Sequence, residues 1–113
     1  MIAYKVSIEI KKEIEKDWFN WMSTNHIPNV INTGVFLDFS FNKMLRNGSV
    51  PTEGYEKYEI VYYCRNVEDY DKYQKNFAQK LQQEHTEKFK DKFISSRETY
   101  EDVTSLMKLA HLS

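Results

Sequence analysis

The sequence predicts a single α+β domain: a four-stranded antiparallel sheet covered on one face by two helices. Three observations carry that expectation. Residues Ile2 to Ile10 alternate strictly in polarity, two later stretches repeat apolar residues at helical spacing, and the patterns run as strand, helix, strand, strand, helix, strand. A chain of 113 residues is the size of one domain. It should bury about two-thirds of its unfolded surface and needs no staple to fold.

In the first strand, Ile2, Tyr4, Val6, Ile8 and Ile10 share one face, and Ala3, Lys5, Ser7 and Glu9 share the other. The period then changes to helical, with Ile14, Trp18, Trp21 and Met22 on one stripe. Pro28 disfavours helical geometry at Ile27, so a break is expected there, followed by a short turn over Pro28 to Asn32 that Gly34 ends. The second strand is expected from Val35 to about Leu45, with Val35, Leu37, Phe39 and Phe41 on its apolar face. Asn47-Gly48 is a turn signal in an exposed loop that leads to a third strand, Tyr55 to Arg65, with Tyr58, Ile60, Tyr62 and Cys64 in phase. Asn66 is placed to cap the second helix, with Glu68 and Asp69 in its first turn. Its stripe is Tyr70, Tyr73, Phe77, Leu81, His85 and Phe89, a helix of roughly six turns. The last strand spans Phe93 to Tyr100. The domain thus covers residues 1–103, and residues 104–113 form a C-terminal tail apolar enough to dock on something. This order is that of the ferredoxin-like βαββαβ fold.

Composition narrows the function classes. Lys and Arg number 16 against 17 Asp and Glu, a formal net charge of -1, so no general field draws the chain to nucleic acid or an anionic membrane. The third strand also lacks the basic-Gly-aromatic motif of RNA-recognition domains. No apolar run approaches the ~20 residues of a transmembrane helix. Cys64 is the single cysteine and the N-terminus lacks a basic start and long apolar stretch, so a cytoplasmic location is expected.

The span WFNWMSTNHIPNVINTG holds the densest set of candidate site residues. Trp18, Trp21 and Met22 face the sheet and read as packing, the two tryptophans also serving as walls of any ligand pocket there. His26, beside Pro28, can act as a general acid or base or can bond a backbone group freed by the broken helix. His85, between Leu81 and Phe89, is either a buried histidine satisfied by a hydrogen bond or a polar group projecting into a ligand cavity. The ligand-pocket candidates are therefore Trp18, Trp21, Tyr62, His26 and His85. For a reaction, His26 or His85 would transfer the proton, and Arg97 or Tyr62 would stabilise developing negative charge. His111 lies in the tail and is expected to be solvated. Three histidines and one cysteine without close pairing give no zinc pattern, and no cofactor is expected. Cys64 reads as an inert buried thiol.

The opposite sheet face carries Lys5, Ser7, Glu9, Asp38, Ser40, Asn42, Lys57, Glu59, Tyr63 and Arg65. It is either solvated or meets its copy in a second subunit, lined by Phe36 and Tyr63.

The pattern W-x-x-W-M-x-x-x-H-I-P-x-V-x-x-T-G is carried by Trp18, Trp21, Met22, His26, Ile27, Pro28, Val30, Thr33 and Gly34. It resembles an uncharacterised bacterial domain-of-unknown-function family of the dimeric α+β barrel group, and Tyr4, Val6, Tyr58, Tyr62, Leu81, Phe89, Phe93 and Arg97 extend the match. The resemblance implies a homodimer whose two sheets pair into a barrel, with ligands held between sheet and helices. It implies no reaction. Three readings follow: a non-catalytic small-molecule-binding or assembly module; a cofactor-independent monooxygenase- or isomerase-like enzyme acting on an apolar small molecule; or haem binding with His85 or His26 as the axial ligand.

Overall fold

The alternation of the first ten residues becomes a central strand, β1 (Ile2–Lys11), paired antiparallel on both sides. With β2 (Asp38–Lys43), β3 (Tyr55–Cys64) and β4 (Phe93–Glu101) it forms one sheet in the order β2-β3-β1-β4. This computed structural model describes residues 1–45 and 51–112, with side chains as far as Ala110. The Asn47-Gly48 turn and the His111 side chain lie outside the described residues. The register sets Ile60 of β3 and Arg97 of β4 on either side of Val6, so all three share one face.

The first helix, α1, does not break at Ile27. Glu15–Trp21 is α-helical, Met22–His26 forms a π-turn, and Ile27–Ile31 is α-helical again with Pro28 in its opening positions. The Ile27 amide reaches back five residues to the Met22 carbonyl. This widened turn lets the chain carry Pro28 without ending the helix, because the turn that would have needed the missing N–H is already spaced differently. Gly34, at φ +79°, ends the segment as expected.

The second helix, α2, repeats the device: Val67–Tyr73, a π-turn at Gln74–Ala78, and Gln79–Lys88. The widened turn puts Ala78 in place of Phe77 on the buried side and leaves Leu81, His85 and Phe89 on the expected stripe. The inward residues are Tyr73, Ala78, Leu81, His85 and Phe89, whereas Phe77 is turned outward at 37% exposure. In α1 the same five-residue step separates buried Met22 from buried Ile27. The Asn66 side chain caps α2 by accepting from the Asp69 amide at 2.9 Å. Asn66→Ala should therefore cost about 1 kcal/mol, measurable as a lower urea midpoint.

The second strand also differs from its expected limits. The ladder starts only at Asp38, and alternation does not govern the residues before it: Phe36 is buried at 5% exposure and Leu37 is 51% exposed. Phe36 packs against Tyr73 (ring centroids 4.8 Å) and Tyr62 (5.2 Å), on the helix side of the sheet and not on the open face. Tyr63, opposite Ala3, does lie on the open face. At the other end, Glu15 of α1 accepts from Lys43 and from the Tyr58 hydroxyl, both at 2.7 Å, fastening the start of α1 to β2 and β3.

No described helix is long and apolar enough to cross a membrane. The tail is helical, α3 (Thr104–Leu112), and its Leu106, Met107 and Leu109 are exposed. The sheet face away from α1 and α2 is uncovered. On it Lys5 lies 3.8 Å from Glu59 and 3.7 Å from Glu98.

Candidate functional site

Two helices lying over a sheet must meet its edge strand somewhere, and there the inward side of β4 is unusual. Opposite the apolar β1 residues Ile8, Val6 and Tyr4 it presents Ser95, Arg97 and Thr99. Polar side chains thus point toward the helices at one margin of the core. A cavity of about 20 Å³ lies at that margin. Its walls come from Tyr4 and Val6 of β1, Met22 and His26 of α1, Tyr62 of β3, Tyr73, Gln82 and His85 of α2, and Ser95 and Arg97 of β4.

Both π-turns border this space. His26 closes the first, and Tyr73 immediately precedes the second. Such bulges re-aim side chains by one position, which brings His26 inward together with Ile27 and Met22.

The two histidines face each other with ring centroids 5.8 Å apart. His85 is held firmly: the Trp18 indole Nε1–H donates to its Nε2 at 2.9 Å, and Phe93 meets its ring edge-on at 4.5 Å. Because an indole nitrogen can only donate, Nε2 must be the acceptor, and the neutral ring carries its proton on Nδ1. His26 stacks on Trp21 at 5.4 Å, and its Nδ1 is buried without a hydrogen-bond partner among the described residues. Leaving such an atom unsatisfied costs about 1–3 kcal/mol.

Electrostatics keeps both rings neutral. Burial, reinforced by the positive Arg97 guanidinium, pushes His26 down to about 4. Burial, with His26 and Arg97 adding to it, pushes His85 down to about 3. Burial raises the Tyr62 and Tyr73 phenols, and it raises Tyr4 against the opposing pull of Arg97. The cavity wall therefore holds neutral phenols and imidazoles beside one guanidinium cation.

The sequence candidates thus separate. His26, His85, Tyr62 and Arg97 line the cavity, whereas Trp18 and Trp21 stand one layer behind and hold the imidazoles. Tyr4, Tyr73, Gln82 and Ser95 escaped sequence reasoning. The polar alternation Ser95, Arg97, Thr99 in a strand whose neighbour is apolar was the available signal for the last of them. Cys64 is buried, and its thiol is pushed up by burial. Among the described residues no three His, Cys, Asp or Glu side chains are grouped to hold a metal ion. A haem does not fit this space: the cavity is water-sized, and the Nε2 atom of His85 is already bonded to Trp18.

Residues 1–103 match the family model described as Domain of unknown function (DUF4286). The chain belongs to that family. No curated protein matches it. Among solved structures, a dimeric ferredoxin-like protein from an uncultured marine organism is 13% identical, with a TM-score of 0.64 over 92% of this chain and 96% of that one. HapK from Hahella chejuensis is 9% identical, with a TM-score of 0.64 over 92% and 94%. An ethyl tert-butyl ether D (EthD) family protein from Bacillus halodurans is 13% identical, with a TM-score of 0.63 over 90% and 99%. At these identities the likeness is one of fold, and this DUF4286 chain has the ferredoxin-like α+β fold.

Proposed function

We propose that this DUF4286 protein is a non-catalytic small-molecule-binding module whose ligand places a small polar group in the cavity between sheet and helices and rests its body at the mouth. The observation that carries the reading is the pair of imidazoles at the cavity wall, half-buried His26 with a buried, orphaned Nδ1 and buried His85 fixed in a single tautomer. A ligand would supply the hydrogen bonds that the protein leaves unmade. The monooxygenase- or isomerase-like alternative would use the same residues, but histidines pushed down to about 4 and about 3 are poor proton acceptors near neutral pH. Binding is therefore favoured over proton transfer.

The module is read as a homodimer joined through the open sheet face. There Lys5 is paired with Glu59 and Glu98, charges of both signs that a second copy can match across a two-fold axis, and Ile94 and Tyr100 of β4 are exposed beside them. The marine neighbour is a dimeric protein of the same fold, which agrees with this reading. In it, residues 1–103 are the domain and Thr104–Leu112 an appended arm. The buried thiol of Cys64 suits a reducing, cytoplasmic setting.

Native mass spectrometry of the protein purified from its own source tests both halves. The expected spectrum is a dimer with additional mass that denaturation releases. A bare monomer would contradict the binding and the assembly readings together.

A further inference from the structure

We propose that the ligand is an organic acid and that its carboxylate is held at Arg97. The inference rests on the reading of the cavity as a binding site and adds the ligand's chemical class. Arg97 projects from the inward side of β4, opposite Val6, and forms part of the cavity wall. Among the described residues it forms no ion pair: the carboxylates within 4.0 Å of a cation are all held by Lys5, Lys12, Lys43, Lys72 or Lys92. The wall itself contains no aspartate or glutamate. Arg97 is exposed at the mouth of this space, so an incoming anion can reach its guanidinium from solvent.

The neighbouring groups suit the same ligand. Tyr62 and Tyr73 have buried rings in the same wall, and each hydroxyl can donate to an anion. Ser95 and Gln82 add a hydroxyl and an amide. The neutral His85 ring contributes an Nδ1–H. A planar guanidinium matches a carboxylate by two parallel hydrogen bonds, a geometry that a rounder or neutral group cannot use as well. The cavity's roughly 20 Å³ admits a group about as large as a water or a carboxylate head. The body of a larger acid would remain at the mouth, where Arg97 itself is exposed.

The test is an NMR titration with acetate and, at matched ionic strength, with acetamide, its neutral analogue of the same shape. The readouts are the backbone and imidazole resonances of His26, His85, Ser95 and Arg97. Acetate should shift them saturably, with a Kd of roughly millimolar order for so small a probe, and acetamide should bind at least about tenfold more weakly. Arg97→Gln should lose acetate binding by about tenfold or more, and Arg97→Lys should retain part of it. Equal responses to acetate and acetamide, or unchanged acetate binding in Arg97→Gln, would overturn the carboxylate assignment and leave the cavity reading standing. No response at these residues to either probe would overturn both. If Arg97→Gln fails to fold, the acetate and acetamide comparison on the native chain decides alone.

Discussion

Trp18→Ala should cost about 3–5 kcal/mol of folding stability, seen as a lower urea midpoint with an unchanged slope. Trp18 is fully buried, packs against Tyr58 at a ring distance of 4.8 Å and meets Phe41 edge-on. Its removal empties the centre of the layer between α1 and β3. It also deprives His85 Nε2 of its donor. Trp18→Phe shrinks the first effect without abolishing it, since it keeps a six-membered ring in the core but removes the rest of the indole together with its N–H. That variant should still lose about 1–3 kcal/mol, because a buried acceptor is left unpaired. A Phe variant as stable as the native protein would show that the Trp18 to His85 bond contributes nothing.

Acid should destabilise the fold well before the carboxylates titrate. Both histidines have folded-state values below the ordinary 6.5, so the unfolded chain takes up protons first as the pH falls. Their contribution is fully present above about pH 6.5 and is progressively lost below it, toward about 4 for His26 and about 3 for His85. Between pH 7 and pH 5 the loss is roughly 2 kcal/mol for each ring. Urea midpoints at the two pH values measure it. His85→Gln keeps an acceptor for Trp18 while removing one titrating group, and its loss over that interval should be about half that of the native chain. An undiminished loss in this variant would mean that other groups carry the acid sensitivity.

Much of the architecture was legible in the sequence because period-2 and period-3.6 patterns report which face is buried. β1 and β3 lie where alternation put them, and Asn66 caps the helix it precedes. The π-turns were not legible. Pro28 alone predicts a break, since a proline's local preference is visible in a sequence whereas the widened turn that accommodates it is a tertiary outcome. The same cause turns Phe77 outward, for the widened turn puts Ala78 on the buried side while Leu81, His85 and Phe89 stay on the expected stripe. Alternation places Phe36 on the open face only if it extends into residues before Asp38, which belong to no strand.

The site was legible residue by residue and not as an assembly. His26, His85, Tyr62 and Arg97 come from four different elements. What sequence could not supply was the register that sets Arg97 opposite Val6 and so brings its charge to the imidazoles. Trp18 illustrates the converse: its helical spacing marked it as core, but its donor role toward a histidine 67 residues away depends on the fold.

The measurement to make first is a long-range proton–nitrogen correlation spectrum of the histidine rings at pH 7. Two neutral rings are predicted, with His85 protonated at Nδ1 and its Nε2 shifted by the indole donor. Neither ring should titrate until the pH falls well below 6. A protonated His26, or a His85 carrying its proton on Nε2, would contradict the neutral, partner-seeking cavity on which the binding assignment stands.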